Sequence, residues 1–191
     1  RPLSDGAPKM LRFLIPHIAL RDLPPMFAAG FIGALVAGIY GILHDQVTYS
    51  ISPEYFTRFK FEQFRWANLG LSDRLFVAEI GFLATWWVGG FCGWFLARRQ
   101  IPGQPRVVAW QKIMLGCGII IVSALQSAAV GFGYGLCRGP NGDYTAWRTT
   151  LDYLHIEDHW SFIRVAYIHN ASYLGDYGRA GESLSPGRTA G

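Results

Sequence analysis

Polar residues thin out three times along the chain. Residues 26–43 read MFAAGFIGALVAGIYGIL and carry no charge. Residues 75–97 read LFVAEIGFLATWWVGGFCGWFLA, with Glu79 as the one carboxylate, and residues 113–136 read IMLGCGIIIVSALQSAAVGFGYGL, again without charge. A bilayer core takes about 20 apolar residues as helix. Lipid offers backbone amides no other partner, so each run predicts a transmembrane helix. The expected fold class is all-α integral membrane: three transmembrane helices plus outer-face amphipathic helices. The first run is too long for a signal peptide and lacks a small-residue cleavage pattern before His44-Asp45, so it reads as a retained span.

The segments between and after the spans have their own pattern. Ser52, Pro53 and Glu54 make a helix start: a capping hydroxyl, a proline at the first position and a carboxylate at the positive end. A helix over 53–69 is expected, closed by Gly70. Tyr55, Phe56, Phe59, Phe61, Phe64 and Trp66 are too many aromatics for a solvated helix, while Glu54, Arg58, Glu62 and Arg65 recur along one edge. Such a helix is expected flat on the outer membrane surface, aromatics down. Ser72-Asp73 then opens the second span. After a turn at 139–142, a helix near 157–174 is expected to place Trp160, Ile163, Tyr167 and Leu174 on one apolar side, lying on the surface or docked on a partner. The remaining glycine-, serine- and proline-rich residues cannot build a core of their own. The domain organisation reads as an N-terminal segment (1–25), a three-span membrane domain with its interfacial helix (26–136), and an outer-face tail (137–191).

Charge adds direction. Only 16% of residues are charged, against about 25% in soluble domains, so the net charge of +4 does not read as a nucleic-acid footprint. No basic stripe or nucleic-acid motif appears, and no nucleic-acid partner is expected. Arg1, Lys9, Arg12 and Arg21 precede the first span; Arg98, Arg99, Arg106 and Lys112 fill the link between the second and third. Three spans put these segments on one face, and the positive-inside rule makes that face cytoplasmic. The N-terminus is then cytoplasmic and the C-terminus periplasmic. Trp94 and Trp110 fall near the inner interface, Tyr40 and Tyr134 near the outer one.

Small residues recur every fourth position on the spans: Gly30, Ala34 and Gly38 on the first, Gly89 and Gly93 on the second, and Ser123, Ser127, Gly131 and Gly135 on the third. Such strips let helix backbones approach closely, either within the chain or against another protein's helix. Glu79 and Gln126 are intramembrane polar residues, read as a hydrogen-bonded pair or as a proton or ligand position.

Candidate chemistry is sparse. Cys92, Cys117 and Cys137 have neither CxxC nor zinc spacing. No nucleophile elbow, phosphate loop, dinucleotide fingerprint or haem motif appears. His155 and His159, four apart, can put two imidazoles on one helix face and bind a metal, with His44 and Asp45 as further ligands. A wider outer-face site would gather His44, Asp45, Glu54, His155, His159 and His169. Asn170-Ala171-Ser172 matches a glycosylation sequon. No cofactor is required by the sequence; bound lipid or pigment is compatible with it.

At HDQVTYSISPEYFTRFKFEQF and RVAYIHNASYLG the chain resembles a group of bacterial multi-span inner-membrane proteins with no assigned activity, His44, Asp45, Glu54, Tyr55, His169 and Asn170 matching that wording. The resemblance implies a bacterial inner-membrane protein. It does not carry a reaction, and where this chain reads DYGRAGES the group's wording continues into a further apolar span. The function expected from the whole sequence is a non-catalytic accessory or scaffold subunit of a larger membrane complex, respiratory or photosynthetic, with lipids and other membrane subunits as partners. The alternative is a small membrane enzyme or metal-binding protein with an outer-face His/Asp/Glu site.

Overall fold

The structure is a computed structural model that describes residues 18–171. Arg1, Lys9 and Arg12, the sequon's Ser172, Leu174 and the glycine-rich tail lie outside the described residues. Those described are helical, with no strand among them: α1 (Leu23–Ile51), a π-helix (Tyr55–Lys60) running into the short α2 (Phe61–Gln63), α3 (Asp73–Gln100), α4 (Arg106–Arg138), α5 (Arg148–Leu154) and α6 (His159–Ala171). Three helices, over Leu20–Ile51, Asp73–Gln100 and Arg106–Arg138, are long and apolar enough to cross a membrane. The all-α, three-span reading is therefore what the chain adopts. The chain divides into two compact units, Arg1–Gly41 with Gly81–Ile121 and Ile42–Ile80 with Val122–Gly191.

In the first unit, glycines decide the packing. A Cβ on Gly33 would overlap the carbonyl of Gly89, and one on Gly89 would overlap the carbonyl of Gly33. Gly30 faces Gly90 and Trp94, Gly38 faces the Phe82 ring, Gly41 faces Gly81, and Gly93 faces Ala29. The rising numbers on α1 meet falling numbers on α3, so this is an antiparallel pair with backbones in near contact, the arrangement that small residues permit in lipid. Thr85 Oγ1 donates between Ala37 O (2.7 Å) and its own helix's Gly81 O (2.9 Å). Met26, Ala29, Ala97, Ile101, Ala109 and Ile113 form a buried cluster, with Trp94 and Trp110 against it. The first span's strip is thus consumed within the chain.

The second unit departs further from expectation. The polar wording after Leu43 does not end α1, which runs on to Ile51. It stops one residue before Ser52-Pro53, where the proline ring disfavours helical backbone at the preceding residue. Ser52 Oγ then accepts from Tyr55 N at 3.4 Å, the capping role expected of it. The helix after it is not the single run over 53–69: it is a π-helix, then α2, then a 3-10 turn at Arg65–Ala67. Its aromatics also divide. Trp66 is 78% exposed, but Tyr55 and Phe56 are buried against Phe162, Ile163 and Ala166. The segment is therefore not a helix with all its aromatics turned to the bilayer.

The tail helix is likewise not a surface element. In α6, Ser161, Phe162, Ile163, Val165, Ala166, Tyr167, Ile168 and Ala171 are all buried. Gly131 and Gly135 of α4 make room for it. A Cβ on Gly131 would overlap the Tyr167 carbonyl, and one on Gly135 would meet Arg164 Cγ at 2.8 Å. Trp160 Nε1 donates to the Gly135 carbonyl at 3.0 Å. The polar pair expected inside the spans does not form among the described residues. Glu79 keeps one enclosed carboxyl oxygen without a hydrogen-bond partner, and Gln126 is exposed.

The Gly33–Gly89 contact yields a test. Gly89→Ala places a methyl group on the Gly33 carbonyl and the Ala37 methyl, so the helices must part. The expected cost is about 1–3 kcal/mol, the usual range for overpacking. Thermal unfolding in detergent should fall by several degrees for Gly89→Ala. Gly118→Ala, where nothing lies within 4 Å, should leave it unchanged.

Candidate metal centre

The last turns of α1 carry His44 and Asp45, and the end of α6 carries His169. Two local devices hold them. Thr48, fully buried, turns its hydroxyl back onto the carbonyls of His44 (3.1 Å) and Asp45 (3.3 Å). Arg74, at the start of α3, reaches Gln46 Oε1 (3.1 Å) and Ser50 Oγ (3.2 Å), while Gln46 Nε2 donates to the Arg74 carbonyl at 2.7 Å. The end of α1 is thereby fastened on the face away from Asp45.

The start of α6 is fastened by Glu54, whose carboxylate accepts from the backbone N–H groups of Glu157 (3.1 Å) and Asp158 (2.9 Å). Asp158 in turn caps α6, accepting from Ser161 N at 3.0 Å. Burial pushes the Asp158 carboxyl upward, but its side-chain and backbone bonds to Ser161, with the charges of Arg164 and His159, outweigh that and hold its pKa below the usual value. Charge-assisted bonds of this kind at a helix start satisfy donors that would otherwise be orphaned.

These devices bring His44, Asp45 and His169 together, one donor atom from each lying within 4.8 Å of the others. Asp45 is 5% exposed. His169 Nε2 lies 3.9 Å from Asp45 Oδ1 and has no hydrogen-bond partner among the described residues. The two imidazoles meet edge to face, centroids 5.0 Å apart. Tyr55 stacks flat on His169 at 5.0 Å and 9°, and Phe56 meets it edge-on. Burial, then the charges of His44 and Lys60, hold the His169 pKa well below the ordinary imidazole range. His169 is thus neutral, so its approach to Asp45 is not an ion pair. Neutral imidazole is also the form that binds metals.

Two imidazole nitrogens and a carboxylate oxygen are the donor set of catalytic zinc and of non-haem iron sites. Metal bonds of about 2.0–2.2 Å put neighbouring donors roughly 3.5 Å apart in a tetrahedron. The widest gap here then closes with about 1 Å of side-chain movement.

The histidine spacing pointed to a different pair. His155 stands outside any helix, at φ 51°. Its N–H bonds Asp152 O, and Ile156 N bonds Leu151 O at 3.0 Å. This is a Schellman closure of α5, with Ile156 and Leu151 buried in one cluster. His159 opens the next helix, so the two imidazoles do not share a helix face, and neither joins the cluster. Glu54 is committed to the start of α6. Of the residues singled out from sequence, the structure gathers His44, Asp45 and His169.

Lys60, on the π-helix, is half-buried. Burial holds its pKa below the usual ammonium range, with Asp45 pulling the other way. Its ammonium rests over Phe59 at 5.6 Å and Phe64 at 5.8 Å, and makes no hydrogen bond or ion pair among the described residues.

No protein-family model matches the chain, and neither a curated protein nor a solved structure is detectably similar to it.

Two outcomes follow. Glu54→Ala removes both bonds to the start of α6, and hydrogen bonds to charged groups are worth about 1.5–3 kcal/mol. Hydrogen exchange of the α6 amides should accelerate most at the start of that helix. Asp158, its folded pKa lying below the usual carboxylate value, contributes stability that is present above that value and lost as pH falls through the folded pKa. Asp158→Ala should cost about 1 kcal/mol near neutral pH and match the wild type once acid unfolding has protonated the cap. Denaturant titrations across that pH range check it.

Proposed function

We propose that the chain is an integral membrane protein that holds one divalent transition-metal ion through His44, Asp45 and His169. The observation that carries this reading is the convergence of three ligand atoms within 4.8 Å in a largely buried setting, contributed by helices far apart in sequence. A set of two histidines and one carboxylate leaves coordination positions for water or a substrate, the property that separates catalytic metal sites from closed structural ones. The basic residues before α1 and in the link between α3 and α4 support an orientation with the N-terminus cytoplasmic and the metal centre on the opposite face, which in the bacterial inner membrane that the resemblance implies is the periplasmic one.

A second reading, an accessory or scaffold subunit of a larger membrane assembly, draws on α4. Only 6% of its most apolar window is buried, against 33% and 28% for the other two spans. Gly118 and Gly133 have nothing within 4 Å of a Cβ, leaving room for another helix. The strips at Gly30 to Gly38 and at Gly131 to Gly135 do not add to this reading, because α3 and α6 already cover them.

Elemental analysis of protein purified in mild detergent decides the first reading. About one equivalent of zinc, iron or manganese is expected, lost in His44→Ala, Asp45→Ala and His169→Ala and kept in His155→Ala/His159→Ala. Wild-type protein that carries no metal after incubation with each ion and gel filtration would overturn it. Migration on a native gel as a complex, unaffected by those substitutions, would favour the second.

A further inference from the structure

The face of the π-helix that stacks on His169 carries a second group. Residues five apart are bonded along this segment, Phe61 N to Phe56 O at its end. Positions i and i+5 therefore share one side of the axis, about 50° apart, where an α-helix would set them about 140° apart. Tyr55 and Lys60 are such a pair. Tyr55 lies flat on His169, so Lys60 is brought to the same side one turn on.

The electrostatics agree with that placement, since the Lys60 charge acts on both Asp45 and His169. Asp45 does not close on it as an ion pair, and no other carboxylate among the described residues does. The ammonium is instead shelved on two phenyl rings, half out of water. A desolvated lysine whose charge reaches the Asp45 carboxylate thus has no ion-pair partner among the described residues. A divalent ion and an adjacent lysine are together a recurrent means of binding phosphoryl oxygens.

Taking the metal reading as its premise, we propose that Lys60 and the metal held by His44, Asp45 and His169 form one binding site for a phosphate group, on a free phosphate compound or a lipid headgroup. The metal takes one oxygen at an open coordination position and Lys60 takes another. The aromatic ring of Tyr55 walls the site on the His169 side.

Cobalt(II) is the probe. Wild-type protein in detergent is loaded with cobalt, its stoichiometry measured by elemental analysis, and its visible absorption followed during titration with inorganic phosphate and, separately, dihexanoyl phosphatidic acid. A saturable spectral change is expected. Half-saturation at least tenfold lower for the lipid identifies a headgroup as the source, and equal values identify a free phosphate. In Lys60→Met, cobalt stoichiometry should be unchanged and phosphate half-saturation should rise at least tenfold; Lys60→Arg should stay within threefold of wild type. No spectral response of the wild type to either ligand overturns the proposal, as does a Lys60→Met response equal to wild type. Loss of cobalt in Lys60→Met also overturns it, making Lys60 a structural part of the cluster. Failure of the wild type to bind cobalt at all is the separate failure of the metal reading.

Discussion

The seating of α6 on α4 is the contact from which the rest of the second unit follows. Gly131 and Gly135 leave the α4 surface bare at two points one turn apart, and the backbone of α6 comes down onto them at Tyr167 and Arg164. No larger residue fits at either point without moving that backbone. Once α6 is seated, Phe162, Ile163 and Ala166 meet Tyr55 and Phe56, and its end delivers His169 to the last turns of α1. Apolar burial is the main stabilising term in this cluster: large side chains such as Phe56 and Phe162 contribute roughly 1.5–3 kcal/mol each when fully buried. The glycines set where that burial can occur.

Polar groups then fix what packing alone leaves free to slide. Glu54 joins the segment after α1 to the start of α6 through two backbone N–H groups, and Arg74 joins the start of α3 to Gln46 and Ser50. Neither uses a donor or acceptor of the His44, Asp45 and His169 group. The scaffold's positions are thus fixed by residues other than the three that form the cluster. A site supported through neighbours in this way is held in place by more than its own members.

The three spans were legible in the sequence because an uninterrupted apolar run of about 20 residues has few other solutions. Their ends were not. His44, Asp45, Gln46 and Thr48 fell beyond the apolar run, where polar residues ordinarily meet water, yet here they continue α1, with Asp45 and Thr48 buried and Asp45 facing His169 of a helix more than a hundred positions later. The same distance hid the partnership of His169 with His44, which no local spacing encodes. The spacing that was visible, His155 to His159, is crossed by a left-handed residue that ends α5, and backbone handedness at a non-glycine position leaves no mark in periodicity. The burial of α6 was obscured by Arg164, whose stem covers Gly135 and whose guanidinium lies over Trp160 at 4.4 Å. A long charged side chain can cover apolar surface in this way while it reads as polar in the sequence.

The wide turn at Tyr55–Lys60 gives this stretch an unusual tolerance of length. Removing one residue between the serine cap and Phe61 would leave a sequence that closes as an ordinary α-helix, so the backbone would lose little. A π-turn spreads one extra residue over nearly the same rotation, so side chains beyond the deletion would keep close to their present direction around the axis. In the lineage of such a chain, a single-codon insertion or deletion here would redistribute the groups inside the turn that face the cluster, while the cap before it and the helices around it stayed in place.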